Sequence, residues 1–183
     1  MRIIGGQLKG RKINPPANLP VRPTTDLAKE ALFNILYNRF DFEQIRVLDL
    51  FSGTGNISLE FASRGVPDII SVDRDLGCIN FLTNTSKQLK FENIQVCKAD
   101  VFKFLESETE TFDLIFADPP YDLNQIPEIA KIVFERNLVR EGGYLIIEHP
   151  GMKKLDNHPN FIEQRNYGSS AFSFFQKQVN PAG

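Results

Sequence analysis

Residues 117–122 read ADPPYD and close the apolar run FDLIF. Asp118 offers an anionic acceptor. Pro119 and Pro120 fix φ, remove two N–H donors and leave the preceding carbonyls free to accept. Tyr121 adds a flat aromatic face with a polar tip. A carboxylate, a carbonyl and a stacking ring together suit a planar ring that carries an exocyclic amino group. Such a nitrogen delocalises its lone pair into the ring and is a poor nucleophile. Acceptors on its two hydrogens favour a pyramidal nitrogen and stabilise the positive charge that builds as it attacks, provided the donor is held in line. The proton leaves after the transfer, so a strong general base is not required.

A second constellation lies upstream. In VLDLFSGTGN, Asp49 precedes a turn in which Gly53 and Gly55 let the backbone approach a ligand just ahead of a helix N-terminus. Ser58 stands where a dinucleotide fingerprint would place its third glycine, which weakens a nicotinamide reading. Asp73, eighteen residues past Gly55, ends the next apolar run and can accept both hydroxyls of a ribose. Asp100 ends the run after that and can accept from an adenine amino group. A strand–glycine–helix turn alone is a weak signal, and an acid at a strand end is often a helix cap. Acids at three successive strand ends form the pattern of a site for an adenosine-bearing ligand.

The elements that must position these groups follow from periodicity. RVLDLF, DIISVD, IQVCKAD, FDLIFADPP and GGYLIIEHP read as strands, separated by helical stretches beginning at NISLEFASRG, DLGCINFLTNTSKQLK, VFKFLES and QIPEIAKIVFERNL. That alternation predicts a parallel sheet with helices on both faces, with ligands at the carboxyl ends of the strands. FIEQRNYG and AFSFFQKQ close the chain as an antiparallel hairpin. Upstream, RIIGGQLKGRKI reads as two short strands joined by a glycine turn, and NPPANLPVRP as extended chain. TTDLAKEALFNILYNRF is a capped helix with an apolar face at Leu27, Ala31 and Ile35.

The 183 residues fit one domain, and 42% hydrophobic with 24% charged residues is ordinary for a globular protein. No run approaches a membrane span, and the N-terminus lacks a signal-peptide core, so the cytoplasm is expected. Cys78 and Cys97 lack metal-ligand spacing and read as reduced core residues, and no metal is expected. The net charge of −2 argues against a uniformly basic nucleic-acid binder. Its distribution says more: residues 1–25 carry Arg2, Lys9, Arg11, Lys12 and Arg22 and no acid, while the remainder holds 16 bases and 23 acids. Such an arm either places a polyanion locally or is merely a solvated hairpin.

VLDLFSGTGN, SVDRD, KADVFKFL and ADPPY resemble the successive motifs of class I S-adenosylmethionine-dependent methyltransferases of the amino-methylating branch. MRIIGGQLKGRKI, RPTTDLAKEALFNIL and YGSSAFSFF are similar to the RsmD-type family, which methylates guanine N2 in bacterial 16S ribosomal RNA; the likeness runs from Met1 to about Gln176. The resemblance implies an α/β, Rossmann-like, seven-stranded, mostly parallel sheet with its last strand antiparallel, plus a small N-terminal hairpin and helix extension. It implies S-adenosylmethionine as cofactor and S-adenosylhomocysteine as product. By motif, Asp49, Ser52, Gly53 and Gly55 would line the methionine part, Asp73 the ribose, and Asp100 with the Val101 backbone the adenine. Asp118 and Pro119 would grip the amine and Tyr121 would stack on the base. Asp73 departs from the Glu of many relatives. The division expected is one methyltransferase domain over 1–183: a basic arm at 1–24, the helix and catalytic core at 25–177 and a tail at 178–183.

A guanine inside folded RNA is reached only if unpaired or flipped out. With no room for a separate recognition domain, the arm residues Arg2, Lys9, Arg11, Lys12 and Arg22, and the closing hairpin, would read RNA shape and phosphates. The expected partner is 16S rRNA in the small subunit or its assembly intermediate, met by a monomer in the cytoplasm, with no membrane involved. Rival readings are an adenine-N6 or cytosine-N4 methyltransferase, a protein-glutamine methyltransferase, or a non-catalytic RNA assembly factor. Arg22 could reach phosphate or the cofactor carboxylate, or pair with an acid. His149 is assigned a structural role and His158 none. Phe172, Phe174 and Phe175 read as core with one ring exposed.

Overall fold

The computed structural model describes residues 1–179; residues 180–183 of the tail lie outside them. The chain forms two compact units, one from Met1 to Ala99 and one from Asp100 onward. In the first unit the order is α1 (Asp26–Tyr37), a 3-10 turn (Phe42–Gln44), β1 (Arg46–Leu50), α2 (Asn56–Ser63), β2 (Asp68–Asp73), α3 (Leu76–Gln88) and β3 (Ile94–Lys98). In the second it is α4 (Val101–Ser107), β4 (Phe112–Ala117), α5 (Ile126–Glu135), β5 (Val139–Pro150), β6 (Phe161–Tyr167) and β7 (Ser170–Gln176). The seven strands make one sheet in the order β3-β2-β1-β4-β5-β7-β6.

β1 and β3 both pair with β2 in parallel, with Asp49 opposite Ser71 and Asp73 opposite Lys98. β4 and β5 are parallel, with Ala117 opposite Ile147, whereas β7 runs antiparallel to both β5 and β6. β1 and β4 are buried along nearly their whole length, as strands covered on both faces must be. Short polar side chains start the helices. Thr25 Oγ1 accepts from the Ala28 N–H (3.2 Å), Asp75 Oδ1 from Cys78 (2.8 Å) and Asp100 Oδ1 from Lys103 (3.1 Å).

Four expectations change. The N-terminal hairpin is not a pair of strands: one antiparallel bridge joins Arg2 and Lys12. Within it the Ile3 N–H donates to the Arg11 carbonyl (2.9 Å), Gly10 to Ile3 (2.8 Å) and Ile13 to Met1 (2.9 Å), while other donors leave the hairpin. Ile4 and Gly5 N–H groups donate to the Glu60 carboxylate (3.0 and 2.9 Å), Leu8 to Ser63 Oγ (2.9 Å) and Gln7 to the Ser63 carbonyl (2.7 Å). Gly6, at φ +77°, lies so close that any Cβ would strike the Ser63 carbonyl. On α1 the buried face is Ala28, Lys29, Leu32, Phe33 and Leu36, while Leu27 is 74% exposed. The apolar i, i+4 spacing chose the wrong stripe because Lys29 goes inside. Phe172, Phe174 and Phe175 are all buried, because β7 lies between two strands rather than at an edge. His158 is not incidental: its ring packs against Phe134 and Phe175, with centroids at 5.2 and 5.8 Å.

Lys29 meets a partner inside. Its Nζ lies 3.0 Å from Glu60 Oε1 and donates to the Arg2 carbonyl and to Asn56 Oδ1. Burial lowers the Lys29 pKa, opposed by the Glu60 charge. Arg64 Nε donates to Glu60 Oε2 at 2.8 Å while its guanidinium lies over the Phe33 ring. A buried charge persists only when paired and hydrogen-bonded in this way.

Candidate functional site

In the first unit, β1 delivers its carboxyl end to the turn Phe51–Gly55. Three residues there have positive φ: Phe51 (58°), Gly53 (55°) and Gly55 (92°). A Cβ on Gly55 would strike Leu82, so the turn sits directly on α3. The turn is held by the Ser52 N–H on the Val72 carbonyl (3.0 Å) and the Gly55 N–H on the Ser52 carbonyl (2.9 Å). Gly53 N–H donates to Asp73 Oδ2 at 2.9 Å, so two of the sequence-selected residues are joined directly. The other Asp73 oxygen accepts from Asp75 N–H (2.9 Å), which orients a half-buried carboxylate at the end of β2.

Two polar features of this turn are unspent. No side chain caps α2, whose N-cap is Gly55. Ser52 Oγ is buried and has no hydrogen-bond partner among the described residues. A helix start without an N-cap side chain and an orphaned hydroxyl beside a glycine turn suit a polar, partly anionic ligand group. Asp49 is placed differently from Asp73. It is 1% exposed, and its Oδ2 accepts from Ser58 Oγ at 2.5 Å, which in turn meets Ser71 Oγ at 2.5 Å. Burial pushes its carboxyl up to about 7, the Ser58 hydrogen bond opposes this and the neighbouring Asp73 charge adds to it. Ser58, which departs from the glycine pattern, is therefore the partner of Asp49.

The arm residues Arg2, Lys9, Arg11, Lys12 and Arg22 are all exposed. Arg2 pairs with Asp26 at 3.3 Å. Docking of this arm on the carboxylate of Glu60 was not foreseen. The signal available was an acid inside SLEFA, in a helix buried from Ile57 to Ser63.

In the second unit, Asp118, Pro119 and Tyr121 follow β4 in one turn, closed by the Leu123 N–H on the Pro120 carbonyl (3.0 Å). Pro119 is buried, and Asp118 and Tyr121 are half-buried. Asp100 is exposed and caps α4, and Val101 begins that helix, buried. His149 is fully buried. Its Nδ1–H donates to the Pro150 carbonyl (2.8 Å) and its Nε2 accepts from Ser173 Oγ (2.7 Å), while burial lowers its pKa. Both ring nitrogens are committed, as a structural role requires. Both cysteines are free; burial pushes the Cys78 thiol up to about 12, and Cys97 is only half-buried. No metal-holding group of side chains and no helix long and apolar enough to cross a membrane occurs among the described residues.

Comparison with known proteins finds a match over residues 1–176 to the family described as conserved hypothetical protein 95. YlbH of Bacillus subtilis (strain 168), provisionally named an rRNA methyltransferase, is 32% identical over 185 residues, covering 97% of this chain and 100% of that protein. Ribosomal RNA small subunit methyltransferase D of Escherichia coli (strain K12) is 26% identical, covering 98% of this chain and 91% of its own. The solved structure of yhhF from Escherichia coli, provisionally named a methyltransferase, superposes with a TM-score of 0.85 at 26% identity, covering 98% of this chain and 99% of that one.

Proposed function

We propose, from the premise that this chain belongs to the conserved hypothetical protein 95 family, that it methylates the exocyclic N2 of a guanine in 16S ribosomal RNA. The observation that carries the reading is the Asp118–Tyr121 turn at the carboxyl end of β4, on a chain similar over its length to enzymes named for small-subunit rRNA methylation.

S-adenosylmethionine supplies the methyl group as an electrophilic sulfonium carbon. The residues of the first unit fit it: Ser52 Oγ and the start of α2, which has no N-cap side chain, suit the polar methionine end, with Asp49, Gly53 and Gly55 lining it. The Asp73 carboxylate, oriented from Gly53 and Asp75, would accept from the ribose hydroxyls. Asp100, with the Val101 backbone, would accept from the adenine.

At the other substrate, Asp118 and the Pro119 carbonyl accept the two amine hydrogens and Tyr121 stacks on the base. The acceptors raise nucleophilicity by favouring a pyramidal nitrogen, and they stabilise the positive charge formed on attack. The proton departs after the methyl has moved. His149 is spent on Pro150 and Ser173 and takes no part. Arg2, Lys9, Arg11, Lys12 and Arg22 would meet RNA phosphates. The protein would act as a monomeric, cytoplasmic single-domain enzyme on the small subunit or its assembly intermediate.

The test is tritiated methyl transfer to undermethylated small subunits, followed by nucleoside analysis. N2-methylguanosine is the expected product. N6-methyladenosine or N4-methylcytidine would move the assignment to another amine, and binding without turnover would favour an assembly factor.

A further inference from the structure

Met152 is 96% exposed, more than any other large hydrophobic side chain among the described residues. A lone exposed apolar residue is ordinary, but this one stands on a pinned turn. Gly151 N–H donates to the Ser169 carbonyl (2.9 Å), in the turn between β6 and β7, and the Gly151 carbonyl accepts from Gln164 Nε2 (3.4 Å). Lys153 N–H closes the turn on the Pro150 carbonyl (3.0 Å), and Lys153 Nζ reaches the Leu123 carbonyl at 3.5 Å. That last contact ties the turn to the segment directly after Asp118–Tyr121. Met152 is followed by Lys153 and Lys154, and no acid occurs until Asp156. The aromatic residues of the closing hairpin offer no rival wedge: Phe172, Phe174 and Phe175 are buried, and Tyr167 packs on Phe172 at 5.6 Å.

We propose that Met152 is an RNA wedge, inserting into the base stack from which the target guanine is withdrawn while Lys153 and Lys154 meet the flanking phosphates. The inference rests on the proposed function and adds the means of reaching the base. Withdrawing a stacked base leaves an apolar gap whose filling offsets part of the unstacking cost, and an unbranched thioether on a rigid turn adapts to an irregular gap. The charge of the turn suits a polyanion rather than an apolar protein face.

The first experiment compares Met152→Ala with the parent protein on folded undermethylated small subunits and on heat-unfolded 16S rRNA. The expected result is a loss in kcat/KM on folded subunits about tenfold larger than on unfolded RNA, with Met152→Leu restoring most of it. Equal losses on both substrates, or no loss on either, would overturn the wedge. The second uses the composition: the chain has only two methionines, Met1 and Met152. Replacement by a diazirine methionine analogue, with Met152→Leu as control, should cross-link rRNA beside the methylated guanine. Cross-links to a ribosomal protein or a second copy of this chain, or none to RNA, would count against it. If the parent protein transfers no methyl group to either RNA, the proposed function itself has failed, a result distinct from a variant that behaves like its parent.

Discussion

Replacing Asp49 with asparagine should remove a specific pH dependence of stability. In the folded chain the Asp49 carboxyl is pushed up to about 7 from a reference value of 3.8, chiefly by burial. Between those values the folded protein keeps a proton that the unfolded chain has released. Stability from this group is therefore fully present below about pH 4 and is lost as pH rises through about 7. The slope is about 1.4 kcal/mol per pH unit, so the whole window is worth about 4 kcal/mol, and the interval from pH 5 to 6.5 about 2 kcal/mol. The side-chain amide of the Asp49→Asn variant is neutral throughout. Its carbonyl can still accept from Ser58 Oγ, which Asp49 engages at 2.5 Å. Urea denaturation of both proteins at steps from pH 5 to 8 measures the difference, with equal m-values required. Every other titrating group is common to the two, so the difference isolates Asp49. A stability difference constant to within about 0.5 kcal/mol across the range would refute the reasoning and mean that water or a counter-charge reaches this carboxylate.

Glu60→Ala should cost about 3–5 kcal/mol, because Lys29 is left charged and buried without its partner. Lys29→Met should cost clearly less, since Glu60 keeps Arg64 and the Ile4 and Gly5 amides; chemical denaturation giving equal costs would contradict this. Asp118→Ala should lower methyl transfer by about 10²–10³-fold while calorimetry shows cofactor affinity retained. Alanine at Arg2, Lys9, Arg11 and Lys12 together should weaken RNA binding and flatten its salt dependence by about one unit of slope per lost phosphate contact. A loss of cofactor binding instead would show that these residues serve the fold.

Most of the element order was legible because it rests on local rules. Apolar runs alternate with helical spacing from Arg46 to Pro150, and short acids and hydroxyls mark helix starts at Thr25, Asp75 and Asp100. The structural reading of His149 corresponds to hydrogen bonds in the fold, whereas Asp100, read as an acceptor for an adenine, also caps α4. The α1 face was misread because hydrophobic periodicity assumes that a lysine points outward. Lys29 does the opposite because Glu60, thirty-one residues later, compensates its charge.

The sequence by itself determined the chemistry on offer. An acid and two prolines before a tyrosine, and a glycine turn between acids, are properties of covalent structure and backbone preference. Only the tertiary structure decided what each acid became. Asp49, Asp73 and Glu60 carry the same functional group, yet one is a buried carboxyl raised to about 7, one a half-exposed acceptor oriented by Gly53, and one the internal anchor of the arm. The reason is that the state of a carboxylate depends on how much water it loses and which donors replace it, and those donors arrive from residues distant in the chain.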